Sequence, residues 1–212
     1  MSKILSLLSF LFLGISAYGQ LITVTPALPN DLDGVEIIFD ASLGSGGLKD
    51  YSGDVYAHTG VITNLSTGSG DWKHVKADWG VNIPACKLTP LGNNKWKLVI
   101  SPSIREYYAV PANEQIQKLA FVFRSGVQVG GSWLEGKTET NGDIFYDVYS
   151  ASINVLFTNP DQTLVFKDLN ESFQVSVSSL LADSTFLYAD GQLLTSTTGN
   201  TLNYTITPAE YG

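Results

Sequence analysis

A chain of 212 residues, 44% of them hydrophobic and only 15% charged, has the composition of one or two packed domains and not of a disordered segment. Its formal net charge of −8 gives it no electrostatic reason to seek nucleic acid or anionic lipid, and leaves the capture of a neutral ligand unaffected. With a single cysteine, Cys86, it has no internal disulfide, so its cores alone must hold it together. Cys86 reads as a half-buried structural thiol and not as a nucleophile.

Residues 1–19 read as a signal peptide. Lys3 supplies the positive start, residues 4–15 an apolar run, and Ala17 and Gly19 the small side chains a signal peptidase selects. The apolar run is shorter than the ~20 residues that span a bilayer, so cleavage near Gly19 and export are expected, not a membrane anchor. The mature protein would be secreted or periplasmic. No cysteine lies next to the cleavage site to take a lipid.

Beyond Gln20 the chain reads as strands punctuated by turns. Residues 21–25 (LITVT) alternate and are β-branched, and the Pro-rich segment after them breaks the strand. Residues 35–39 (VEIIF) form a second strand, entered through Asp33-Gly34. The Gly-rich stretch 40–47 is no phosphate cradle, because neither a Lys-Ser/Thr pair nor a helix follows it. Residues 54–58 form a third strand on which Tyr56 and His58 share a face. A polar loop, 63–70, then leads to Trp72 and Trp79, set among Asp71, Lys73, His74 and Asp78.

Residues 86–91 and 95–101 flank Gly92-Asn93-Asn94, a hairpin signal, with Trp96, Leu98 and Ile100 on one inward face. Residues 104–111 read as a loop or one helical turn stopped by Pro111, with one of Tyr107 and Tyr108 packed inward and the other free. Residues 117–124 are a strong strand. The polar stretch 126–142 carries Trp133, and 143–149 closes the unit. About seven strands in about 130 residues predict a β-sandwich over residues 20–150.

A second unit, 151–212, has strands expected at 153–157, 172–178, 185–188, 192–195 and 202–207, with Asp190-Gly191 turning one hairpin. That is about five strands where an immunoglobulin-like sandwich has about seven. The expected fold class is therefore all-β: two tandem β-sandwich domains, the second immunoglobulin-like and incomplete, to be finished by chain beyond Gly212 or by another chain. The join at 150–152 is too short for free motion.

A sugar ring stacks its apolar C–H face on an aromatic side chain, while nearby amides and charges bond its hydroxyls. An exposed tryptophan otherwise costs solubility. Trp72 and Trp79 are the candidate platforms, with Tyr56, His58 and Lys73 at the rim; the alternative is that the indoles cap a core from a loop. Catalysis is poorly supported. Glycoside hydrolysis needs two carboxylates ~5–9.5 Å apart across a cleft, and Asp71 and Asp78 sit in a polar loop where solvated carboxylates are the rule. There is no G-x-S-x-G elbow. His58 and His74 lack zinc-ligand spacing. No cofactor is expected, and the one metal the composition admits is a structural Ca²⁺ on loop oxygens near Asp31, Asp33 or Asp40. Two function classes stand: a non-catalytic carbohydrate-binding module, or a structural and interaction protein whose tryptophans lie in an interface.

Four motifs carry a resemblance: GDVYAHTGVITNLST (53–67), DWKHVKADWG (71–80), KWKLVISPSIREYYAVP (95–111) and LAFVFRSG (119–126). Together they resemble the N-terminal module of secreted α-amylase-family glycoside hydrolases of Bacteroidetes, which is similar to starch-binding modules. The resemblance covers about residues 22–149, and the unit from Ile153 resembles the immunoglobulin-like domain that follows there. It implies an α-glucan polysaccharide as partner and a catalytic domain downstream, with no catalytic machinery in this chain.

Overall fold

The computed structural model describes residues 20–150, 152–160 and 164–208. The expected signal peptide, 1–19, lies outside the described residues. No helix among them is long and apolar enough to cross a membrane.

The protein is all-β, built from several antiparallel sheets. In the first unit the strands are β1 (Ile22–Thr25), β2 (Val35–Asp40), β3 (Val55–Thr63), β4 (Thr89–Gly92), β5 (Lys95–Ile100), β6 (Ile116–Ser125), β7 (Glu135–Gly136) and β8 (Ile144–Asp147). One sheet has the order β1-β2-β5-β4. The other is centred on β6, with β3 along one edge and β7 and β8 end to end along the other. Period-two alternation decides what each face meets. Val35, Ile37 and Phe39 of β2, and Trp96, Leu98 and Ile100 of β5, turn inward against Val55, Ala57 and Val61 of β3 and Leu119, Phe121 and Phe123 of β6. Phe39 stacks on Phe123 across the two sheets, centroids 4.2 Å apart. Each buried Val, Leu, Ile or Phe among them contributes about 1.5–3 kcal/mol by leaving water.

Four local features depart from the sequence expectation. The third strand does not end at His58 but runs to Thr63, paired with β6 throughout. Gly60 interrupts the β-branched pattern there, yet it is covered, since a Cβ would come within 2.9 Å of the Lys73 carbonyl. Segment 86–91 is a strand only from Thr89; before it a 3-10 turn, Pro84–Cys86, carries the thiol inward. Cys86 is thus fully buried, 1% exposed, and not half-buried as expected; its sulfur lies 3.7 Å from the Tyr107 hydroxyl, and burial pushes its pKa up. The helical turn α1 (Ile104–Tyr108) starts at Ser103, whose Oγ accepts from the Glu106 N–H at 3.1 Å, and ends at Ala109, left-handed at φ 54°, before Pro111 is reached. Finally, neither Tyr107 nor Tyr108 is free. Both are buried edge to face, their hydroxyls bonded to the Ala85 carbonyl and Thr59.

The second unit contains β9 (Asn154–Asn159), β10 (Phe173–Leu180), β11 (Thr185–Ala189), β12 (Gln192–Thr197) and β13 (Thr201–Ile206). A sheet of order β13-β10-β9 accompanies the hairpin β11–β12, turned at Asp190 and Gly191, both at positive φ as that pair predicts. Among the described residues its buried core is Val175, Val177, Leu187 and Leu202.

Candidate functional site

The site begins with the side of β3 that the core does not use. Tyr56, His58 and Gly60 point away from the sandwich, as do their cross-strand partners Arg124, Val122 and Ala120 on β6, and Phe145, the partner of Ala120 on β8. The 64–83 loop folds back over this surface. Lys73 makes a two-way bridge with Val61, at 2.9 and 2.7 Å, and the Lys76 N–H reaches the Thr59 carbonyl at 3.0 Å, so the loop also protects the outer edge of β3. His74 adopts φ 51° and sets its Nε2 2.9 Å from Glu114, tying the loop to the segment after α1. Hydrogen bonding from Thr63 and then from His74 holds the Glu114 carboxyl below its ordinary value.

Anchored in this way, the loop brings two indoles to one imidazole. Trp72 stacks on His58 at 5.6 Å, planes 25° apart, and meets Phe145 edge-on at 6.3 Å. Its Nε1 donates to the Ser69 carbonyl at 3.0 Å, which fixes the ring. Trp79 meets the same His58 ring edge-on at 5.1 Å and 77°, and is 41% exposed. One indole lies nearly parallel to the imidazole and the other nearly perpendicular, so the two indole planes are steeply inclined to each other. They border an open groove of about 440 Å³ with His58 and Val122 as floor. Asp71 and Val75 come to its wall from the loop, and Lys137 and Asp143 from the connection between β7 and β8.

The five residues singled out by sequence fare differently. His58, Trp72 and Trp79 meet in the groove. Tyr56 stands two residues along the same face but is occupied by the Arg124 guanidinium, 5.6 Å over its ring. Lys73 is half-buried and donates to Asp71 at 2.8 Å, so it orders the loop next to the groove. Lys137, bonded to Glu135 at 2.6 Å, is the cation that lines the groove itself.

The chain matches no family model and no curated protein.

Charges around the groove are set by these contacts. The hydrogen bond from Lys73, then that from the Thr67 N–H, lower the Asp71 carboxyl to about 2. Burial first, and the Arg124 charge second, hold the His58 imidazole below its ordinary value, so it is neutral at pH 7. Asp71 and Asp143 share the groove, and Asp71, held ionised, is not the proton donor that glycoside hydrolysis requires. Among the described residues no three His, Cys, Asp or Glu side chains gather as metal ligands. The loop carboxylates considered for Ca²⁺ are each engaged: Asp31 with Arg105, Asp33 with the Asn30 amides, and Asp40 with Lys95 and Ser42. A second groove of about 460 Å³ is bordered by Asp50, Tyr51, Asn93, Asn94 and Lys95; its tryptophan, Trp96, is a core residue only 6% exposed.

Sequence reasoning missed Val75, Val122, Lys137, Asp143 and Phe145. The alternation of 117–124 places Val122 on the face opposite Phe121 and Phe123, a signal that could have found it. Nothing local marks Lys137 and Asp143, which reach the groove only because β7 and β8 pair successively with one edge of β6.

Proposed function

We propose that this chain is a non-catalytic carbohydrate-binding protein whose ligand is an α-glucan held on Trp72 and Trp79. The observation that carries this is the pair of inclined indoles around one imidazole, in an open groove rimmed by Asp71, Lys137 and Asp143. Indoles in one plane match the flat run of a β-linked glucan. Steeply inclined indoles match successive rings of a chain that curves, as an α-1,4-linked glucan does. Ring hydroxyls are donors and acceptors at once, so carboxylates and an ammonium at the rim both serve them. The resemblance of 53–67, 71–80, 95–111 and 119–126 to starch-binding-like modules points to the same ligand, and to a secreted or periplasmic setting in which the module keeps an attached hydrolase near its polymer. A single such site binds in the range of about 0.1–1 mM, roughly −4 to −5.5 kcal/mol, and gains by avidity on a polymer.

Affinity electrophoresis in native gels containing soluble starch, glycogen, xylan or a β-glucan tests this. The two α-glucans alone should retard the protein, and Trp72→Ala with Trp79→Ala should abolish retardation while circular dichroism stays unchanged. Unchanged retention of that folded double variant sinks the proposal.

One observation favours a second function, docking onto another protein. In the second unit Phe157 is 53% exposed on the strand face that its partner Val177 turns to the core, and Val155, Phe186 and Tyr188 are exposed as well. Self-association that tracks Phe157→Ser, with no glucan retention, would select it.

A further inference from the structure

Arg124 is 2% exposed, on the side of β6 that faces away from the sandwich core, and among the described residues no carboxylate pairs with it. Its cross-strand neighbour on β7, Glu135, bonds Lys137 instead. The guanidinium is enclosed by π faces and amide oxygens. The rings of Tyr56 and Trp133 lie 5.6 and 4.8 Å from its carbon. Nη1 donates to Asn82 Oδ1 at 2.9 Å and to the Ser125 carbonyl at 3.0 Å, and Nη2 donates to the Val81 carbonyl at 2.8 Å. Nε, also buried, has no partner. A buried cation without a counter-charge costs stability, and an apolar side chain of like size would pack the space more cheaply. A planar fork that fits between two rings and reads two oxygens of one segment does what neither an apolar side chain nor a lysine can.

That segment is the turn carrying Trp79. The Val81 N–H closes it on the Asp78 carbonyl at 3.0 Å, and Asn82 Nδ2 is tied to the Gly126 carbonyl at 2.8 Å. Gly80, at φ 84°, lies so close to Trp133 that a Cβ would sit 3.1 Å from the indole. Trp79 is therefore held by His58 on the groove side and by the Arg124 cluster behind it. Arg124 does not line the groove.

We propose that Arg124 is a positioning residue: by clamping Val81 and Asn82 between β6 and Trp133, it sets the inclination of the Trp79 platform and so the affinity for glucan. The glucan half of this rests on the carbohydrate function proposed above; the placement of Trp79 does not.

The test uses protein labelled with 5-fluorotryptophan, its ¹⁹F resonances assigned by Trp72→Phe, Trp79→Phe, Trp96→Phe and Trp133→Phe. Arg124→Lys keeps the charge and loses the fork. It should move or broaden the Trp79 and Trp133 resonances, leave Trp72 and Trp96 in place, and weaken retention in starch gels about tenfold. Asn82→Ala removes one arm of the clamp and leaves the core alone; it should move Trp79 in the same direction by less, and it decides the matter if Arg124→Lys does not fold. An unmoved Trp79 resonance in the folded variant overturns the proposal, as do equal shifts at Trp72 and Trp79, which would mark general loosening. If the unmutated protein is not retained by starch while Trp79 still moves in Arg124→Lys, the glucan function fails and the clamp stands. If starch retains it and Trp79 does not move, the clamp fails and the glucan function stands.

Discussion

Thr59 shows how one buried hydroxyl can hold two elements. Its Oγ1 donates to the Ala120 carbonyl at 2.8 Å and lies 2.6 Å from the Tyr108 hydroxyl, which must then be the donor to it. Burial raises the Tyr108 pKa, so the phenol stays protonated at any working pH. The two truncations are unequal for this reason. Tyr108→Phe leaves Thr59 bonded to Ala120 and should cost about 0.5–1.5 kcal/mol, whereas Thr59→Val strands the phenol in the core and should cost about 1–3 kcal/mol. Urea midpoints at constant slope measure both, and a smaller loss for Thr59→Val contradicts the network. Asp71 makes a pH prediction of the opposite kind. Its carboxyl is lowered to about 2 from 3.8, chiefly by the Lys73 ammonium. What the carboxylate contributes to loop order is therefore complete above 3.8 and lost as pH falls through about 2. A carboxyl ¹³C titration should place its midpoint near 2 and Lys73→Met should raise it; a midpoint near 3.8 in the unmutated protein means that the pair does not form in solution. Residue types and spacing made Trp72, Trp79 and His58 legible as a cluster. Their mutual angles were not legible, because they depend on where the loop is tied down, by His74 to Glu114 and by Lys73 to Val61.

At the scale of elements, β7 is the shortest strand and yet a wall of the site, because Lys137 follows it directly. It approaches the core so closely that a Cβ on Gly136 would lie 2.4 Å from Phe39 Cζ, and Phe39 cannot yield since it is stacked on Phe123. Gly136→Ala should therefore push β7 outward and cost about 1–3 kcal/mol. Thermal unfolding reads that loss, and starch retention should weaken with it as Lys137 shifts; an unchanged melting temperature would show that β7 yields freely. A two-residue strand in a polar stretch has no periodicity to read, so the sequence shows 126–142 only as polar and Gly-rich. By contrast β5 alternates over its six residues, and its inward face, Trp96, Leu98 and Ile100, could be named from sequence. The extension of β3 past His58 was hidden for a different local reason: Gly60 weakens the strand signal, and only pairing with β6 restores it.

Across the whole molecule, burial is unevenly shared. Among the described residues, one cluster joins both sheets of the first unit from Ile22 to Val148, while the second unit's buried core is Val175, Val177, Leu187 and Leu202, with Phe173, Leu194, Tyr204 and Ile206 partly covered. Opening free energies follow buried apolar contact, so amide hydrogens of β10 and β13 should exchange before those of β2, β5 and β6 in native-state hydrogen exchange. Uniform protection through both units would instead mean that they open as one. The all-β class, the hairpins at Asn93-Asn94 and Asp190-Gly191, the inward face of β5 and the aromatic character of the loop after β3 followed from sequence alone, because alternation, turn chemistry and composition are local properties of the chain. The groove, the inclination of its two indoles, the burial of both tyrosines of α1 and the hydrogen bonds of the buried Arg124 to Val81 and Asn82 were decided only in three dimensions. Each depends on strand pairings or contacts between residues far apart in the chain, and no local pattern records which edge of β6 receives β7 and β8 or which oxygens a buried guanidinium will meet.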